Sequence, residues 1–181
     1  MTTAAMNETA NFAPVLIAES RAAGIAEPDD LYGWLIGSWE LDVLDYDAAG
    51  NVQRGDGEVH FARVLEGRAV QDVWIMPRRV AGAPPSAACR NRYGMTLRVW
   101  DPAIGAWRVT WINPVSGSRD ELIGRRVGKD LVQVGTHANG VPIRWSFTDI
   151  APNGFRWIGE ALEPDGKTWR LEAEFHARRL G

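Results

Sequence analysis

The sequence predicts an all-β fold: an antiparallel up-and-down barrel of about ten strands, with one or two short N-terminal helices capping an end. Ten stretches after residue 38 alternate apolar and polar side chains with period two. Tight-turn sequences separate many of them, among them Asp47-Ala48-Ala49-Gly50-Asn51, Glu66-Gly67, Gly128-Lys129-Asp130, Asn139-Gly140, Pro152-Asn153-Gly154 and Pro164-Asp165-Gly166. Strands with one apolar and one polar face, joined by hairpins, suit an up-and-down barrel; strands of a parallel sheet are buried on both faces and lose that alternation. The 181 residues fit one domain, large enough to bury most of its apolar surface without disulfides or metals.

Residues 1–10 are small and polar, which predicts a disordered N-terminus, and residues 11–36 read as a helical cap. A helix is expected from Ala13-Pro14 to about Ala23, with Pro14 in the first turn, where its missing N–H does no harm, and Gly24 as the stop. Asp29-Asp30 resemble an N-cap and acidic first turn leading into Leu31, Trp34 and Leu35 at helical spacing. From Gly37 to residue 181 the chain reads as the barrel. The first strand, 39–47, sets Trp39, Leu41 and Val43 against Glu40 and Asp42. The second, 57–65, sets Val59 and Phe61 against Glu58 and His60, and the third covers 69–76. Residues 77–89, with three Pro and four Ala, form one long loop of the kind that serves as a lid or rim.

The fourth strand, 92–100, carries Tyr93, Met95, Leu97 and Val99 in phase, and the fifth, 107–112, carries Trp107, Val109 and Trp111. Strands at 119–127 and 131–137 follow. The last three set Ile143, Trp145 and Phe147, then Phe155, Trp157 and Gly159, then Trp169, Leu171, Ala173 and Phe175, against charged and polar partners.

Composition excludes several function classes. A net charge of −3, with basic residues spread along the chain, leaves no electrostatic footprint for nucleic acid. Cys89 is the single cysteine, so no internal bridge forms. The N-terminus lacks a basic leader, and Val15-Leu16-Ile17-Ala18 is too short for a signal core or a membrane span. The expectation is a cytoplasmic protein without a membrane or nucleic-acid partner.

Gly37-Ser38-Trp39 resembles the Gly-x-Trp signature that opens the first strand of calycin barrels, the superfamily of lipocalins, fatty-acid-binding proteins and nitrobindin-like proteins. The resemblance implies that Trp39 plugs one barrel end and that a basic residue of the last strand packs over it. Arg178 and Arg179 are the two candidates, with Gly37, Trp39 and Arg178 the expected plug. A guanidinium over an indole face gains about 0.5 to 2 kcal/mol. Ten strands favour the fatty-acid-binding or nitrobindin-like branch over the eight-stranded lipocalins. The run from Leu65 to Trp74, with Arg144-Trp145-Ser146-Phe147 and Trp169-Arg170-Leu171, is similar to small bacterial calycin-like proteins of unknown function, over about residues 34–179.

Nine Trp make either a large core or an aromatic cavity. If the Trp-bearing faces point inward, Trp39, Phe61, Val73, Leu97, Trp107, Trp111, Trp145, Trp157, Trp169 and Phe175 line the barrel. Arg63, Gln71, Tyr93, Gln133 and His137 share that phase. An aromatic wall with sparse polar groups is the usual make-up of a small-molecule pocket. The expected ligand-binding set is therefore Gln71, Tyr93, Trp107, Trp111, Gln133, His137, Trp145 and Trp157, and the expected function is carriage or sensing of a small hydrophobic or aromatic molecule.

The alternative is a cofactor-independent isomerase, cyclase or lyase in the same cavity. In it, neutral His137 or Tyr93 moves the proton, while Gln71 and Tyr93 polarise an oxygen. Nitrobindin-like barrels bind haem through one His. His60 and His176 read as outward here, and the Gly-rich, Tyr-Pro-containing first-strand motif of the haem binders is missing, so no haem is expected. No His/Cys cluster has zinc-ligand spacing. Ser116-Gly117-Ser118-Arg119-Asp120-Glu121 has the letters of a nucleophile and base but sits where a polar turn belongs. Asp72 and Trp74, and Arg98 and Trp100, read as outward; Trp in a polar outer wall points to a homodimer.

Overall fold

The structure, a computed structural model, describes residues 11–80 and 92–181. The expectations for residues 1–10 and Cys89, and for the long loop beyond residue 80, lie outside the described residues. The described residues form helix α1 (Phe12–Leu16) and eleven strands: β1 (Ile17–Ala18), β2 (Gly37–Tyr46), β3 (Val52–Val64), β4 (Ala69–Met76), β5 (Arg92–Asp101), β6 (Ala106–Asn113), β7 (Ser118–Val127), β8 (Asp130–Thr136), β9 (Pro142–Ala151), β10 (Gly154–Leu162) and β11 (Trp169–Arg179). From β2 to β11 every strand pairs antiparallel with its chain neighbour, and β11 closes on β2, so the ten form an up-and-down barrel. Closure leaves no free edge along this sheet.

The N-terminal segment departs from the expected pair of helices. α1 spans five residues, because Ile17 and Ala18 instead pair with Val64 and Arg63 at the end of β3, and the Leu65 N–H donates to the Leu16 carbonyl at 3.0 Å. The second segment is two 3-10 turns, Glu27–Asp29 and Gly33–Leu35. Asp30 fixes it to the barrel through Arg63, at 2.6 Å. Among the described residues no helix is long and apolar enough to cross a membrane.

These turns close one barrel end. Leu31, Tyr32 and Leu35 are buried there on Trp39, Trp107, Phe147 and Phe155. The Trp39 indole N–H donates to the Leu35 carbonyl at 2.8 Å, and the Trp107 indole N–H to the Asp29 carbonyl at 2.7 Å. Each buried indole thus meets its one polar need in the cap.

Arg179, not Arg178, covers Trp39: its guanidinium stands 4.0 Å above the ring and donates to the carbonyls of Pro152, Ile36 and Trp34. Register decides between the two. Arg179 lies opposite Trp39 and shares its inward phase, whereas Arg178 points outward to Glu40 and Asp42. Gly37 has φ +125°, a region side chains avoid, and a Cβ there would stand 2.9 Å from Arg179 Nη1. The glycine of Gly-x-Trp makes room for the arginine.

Strand phase follows expectation in β2, β3, β6, β8, β9 and β10 and is reversed in β4 and β5. There Asp72, Trp74, Thr96 and Arg98 point into the barrel, while Val73, Met95 and Leu97 face out. In β11 a bulge opposite Gly159 and Glu160 skips Glu172, so Gly159 pairs with Ala173 but Glu160 pairs with Leu171. Ala173 and Phe175 point inward as expected. Trp169, ahead of the bulge, lies instead under the Arg144 guanidinium at 4.4 Å, on the outer wall where Arg144 pairs with Glu160.

Candidate functional site

A cavity of about 520 Å³ occupies the barrel between the aromatic plug and the opposite end. Its middle is walled by Trp74, Trp111, Trp145, Trp157 and Phe175. Trp157 stacks on Phe175 with centroids 4.6 Å apart and planes 6° from parallel; Trp74 and Trp145 lean on Trp157 at 5.9 and 5.8 Å. Gly159 and Gly94 allow this arrangement. A Cβ at Gly159 would meet the Trp157 ring at 2.7 Å, and one at Gly94 would meet the Trp111 ring at 2.8 Å.

The floor, next to the plug, holds two buried charges. Asp72 and Arg98 have side chains 0% and 2% exposed, and Arg98 Nη1 donates to Asp72 Oδ2 at 2.5 Å. The other Asp72 oxygen accepts the Thr96 backbone N–H at 2.7 Å. The Arg98 guanidinium lies 5.0, 5.6 and 5.8 Å from the rings of Tyr32, Phe61 and Phe147. A guanidinium is weakly hydrated and packs on aromatic faces, so this is a tolerable place for a buried cation. Burial pushes the Tyr32 hydroxyl up to about 12, against the opposing effect of Arg98.

At the mouth, Arg92 pairs with Asp45 at 2.7 Å. His137 lies between two carboxylates, Asp120 at 2.8 Å and Glu172 at 3.6 Å. The Asp120 hydrogen bond, helped by Glu172, raises the His137 pKa to about 9 against the opposing effect of burial. His137 in turn holds the Glu172 carboxyl below its ordinary value, with Arg170 adding to the effect. The β11 bulge brings Glu172 to this place.

Of the residues expected to bind ligand, Trp111, His137, Trp145 and Trp157 line this cavity. Trp107 and Gln133 are wholly buried at the closed end, and the Gln133 amide has no partner among the described residues. Gln71 and Tyr93 face outward with the rest of the reversed phase: Gln71 reaches Met95 Sδ at 3.3 Å on the outer wall, and Tyr93 is exposed. Neither reaches a molecule in the barrel. The ground for a homodimer goes with the same reversal, since Trp74 lines the cavity and Trp100 packs on Trp107 at 6.0 Å.

The residues missed include Asp45, Asp72, Trp74, Arg92, Arg98, Asp120 and Glu172. A signal for the floor existed. Asp72 lies opposite Thr96, so Arg98 is its diagonal neighbour, and opposite charges there share a face with two Trp. Among the described residues His137 is the one His that lines the cavity, and its two ring nitrogens face carboxylates at 2.8 and 3.6 Å. Among the described residues no three His, Cys, Asp or Glu are disposed to hold a metal ion.

No protein-family model matches the chain, and neither does any curated protein. Among solved structures, the crystal structure of Rv2717c from M. tuberculosis is similar, with a TM-score of 0.56 at 15% sequence identity over 87% of this chain and 99% of that one. At that identity the likeness shows a shared barrel fold.

Proposed function

We propose that this protein, a barrel of calycin type, is a non-catalytic carrier or sensor of a small aromatic or hydrophobic molecule held in the barrel. The observation that supports this is the cavity itself: about 520 Å³, walled by four indoles and one phenyl ring, with charged groups confined to floor and mouth. Pockets that enclose a drug-sized molecule have roughly this volume and this division of labour, in which apolar walls supply affinity and few polar groups set orientation.

The enzymatic reading, an isomerase, cyclase or lyase with His137 as base, takes second place. A base needs a free lone pair near pH 7. With its pKa at about 9, His137 is cationic there and both nitrogens are engaged.

Native mass spectrometry of the freshly purified protein, followed by titration of tryptophan fluorescence with the released compound, tests the proposal. A bound aromatic or acyl compound that changes the emission, without turning over, is the expected result. Emission unmoved by aromatic and acyl probes would sink it, and turnover of an enone, epoxide or hydroxy-aromatic would transfer the case to the enzyme.

A further inference from the structure

We propose that the cavity floor is a carbonyl-binding subsite: Arg98 donates hydrogen bonds to an uncharged oxygen of an aromatic ligand, such as a ketone, ester, amide or quinone. The inference rests on the reading of the cavity as a ligand pocket and adds the chemical class of the ligand and its orientation.

Hydrogen-bond accounting at Arg98 carries the first half. A guanidinium has five N–H donors in a fixed plane and no way to shed its charge. Arg98 makes one hydrogen bond, from Nη1 to Asp72, and its buried Nε has no acceptor among the described residues. Rings of Tyr32, Phe61 and Phe147 flank the group, and the one polar atom among them, the Tyr32 hydroxyl, makes no hydrogen bond to it. Asp72 is not free to turn toward the remaining donors, since its second oxygen holds the Thr96 backbone N–H. Buried donors without acceptors are costly and rare. Arg98 also forms part of the cavity wall; its Nε is sealed off, so the donors that a molecule in the cavity meets are those that Asp72 leaves on the two Nη nitrogens.

Charge carries the second half. Asp72 already balances Arg98. Around the rest of the cavity Arg92 is paired with Asp45, and His137 with Asp120 and Glu172, and Glu172 also with Arg170, so each of these cations already has a carboxylate. An anionic ligand would find each of these cations already paired and would compete with Asp72 for Arg98, leaving a buried negative charge uncompensated. A carbonyl oxygen accepts two N–H bonds and brings no charge. The walls suit a carbonyl carried on a flat apolar body, since the indoles of Trp74, Trp111, Trp145 and Trp157 line the barrel.

Three naphthalenes of matched shape, titrated by tryptophan quenching, test this: 2-acetylnaphthalene, its alkene counterpart 2-isopropenylnaphthalene, and 2-naphthoate. A pocket without donors would favour the alkene, because the ketone gives up hydrogen bonds to water on entry. The expected order is ketone over alkene by on the order of tenfold, with naphthoate no tighter than the alkene. The double variant D72L/R98M removes both charges together, so that no lone ion is stranded, and should bring the ratio of ketone to alkene affinity down to one or below.

A measurement on the unaltered protein stands in if that variant does not fold. The infrared carbonyl stretch of the bound, isotope-labelled ketone should lie at or below its frequency in water, and a frequency like that in hydrocarbon overturns the proposal. Equal binding of ketone and alkene removes the subsite and leaves the pocket standing. Naphthoate binding tightest overturns the uncharged class, a ketone preference surviving in the double variant removes Arg98 as the donor, and no quenching by any probe sinks pocket and subsite together.

Discussion

Replacing Trp39 by Ala tests the plug, because the indole combines three separable contributions. Its side chain is 0% exposed, with Trp34 and Phe155 against it at ring-centroid distances of 6.3 and 4.9 Å. Truncating a buried aromatic of this size to Ala costs about 3 to 5 kcal/mol. The hydrogen bond to the Leu35 carbonyl is worth about 1 kcal/mol, and the guanidinium of Arg179 over the ring about 0.5 to 2 kcal/mol. These overlap, since Arg179 keeps its three carbonyl acceptors in the variant, so the expected total is about 4 to 5 kcal/mol. That is a large share of a stability of about 5 to 15 kcal/mol. Urea unfolding followed by circular dichroism reads it as a lower midpoint at unchanged slope. Trp39→Phe keeps the packing and loses the N–H, and should cost about 1 to 2 kcal/mol. A loss below about 1 kcal/mol for Trp39→Ala would refute the reasoning, as it would require the cap to be held without the indole.

Arg179→Met removes three hydrogen bonds to carbonyls and the ring contact and should cost about 2 to 3 kcal/mol; Arg178→Met loses only exposed ion pairs and should leave the midpoint of the same melts unchanged. His137, its pKa raised to about 9, adds stability that is complete below its unfolded value near 6.5 and is lost as pH rises through about 9. NMR titration of its ring should show a midpoint near 9 that falls toward 6.5 in Asp120→Asn, and a midpoint of 6.5 in the parent would show that the carboxylates do not hold the charge. Gly159→Ala places a methyl group against the Trp157 ring and should cost about 1 to 3 kcal/mol; because the ring is then driven toward the cavity, affinity for a naphthalene probe should fall as well, and unchanged affinity would show that Trp157 is not part of the binding wall.

The barrel was legible because hairpin turns and period-two alternation are local signals. Asn139-Gly140 and Pro152-Asn153-Gly154 mark their connections regardless of what fills the interior. Phase was legible only where the plainly apolar face is also the inner one. β9 and β10 qualify, with Ile143, Trp145 and Phe147 against Arg144, and with Phe155 and Trp157 against Arg156. β5 does not, because Tyr93, Met95 and Leu97 form one face while Thr96 and Arg98 form the other, and it is the second set that points inward. The rule that the apolar face is the inner one presumes a solid core. Here the inner face borders a cavity and carries polar groups, so the rule fails at the strands that build the floor. The β11 bulge was invisible for another reason. Nothing in Trp169-Arg170-Leu171-Glu172-Ala173 marks an extra residue; the mismatch exists only in the pairing with Gly159 and Glu160. Trp169 therefore lies outside and Glu172 reaches the mouth.

Two arginines pack on aromatic rings near the closed end, and their differing accounts separate scaffold from site. Arg179 rests on Trp39, and all three of its guanidinium nitrogens donate to carbonyls of Trp34, Ile36 and Pro152. Every element it touches is tied to another, as expected of a group selected for closure. Arg98 lies among Tyr32, Phe61 and Phe147, is more deeply buried, and has one acceptor among the described residues. If Arg98 served only to join β4 and β5, an apolar pair of the same volume in place of Asp72 and Arg98 would hold them as well or better, without the desolvation cost of two ions. The pair makes sense at a cavity wall, where the donors left over by Asp72 face whatever enters. Burial alone does not set Arg98 apart from Arg179; its unmet hydrogen bonds do.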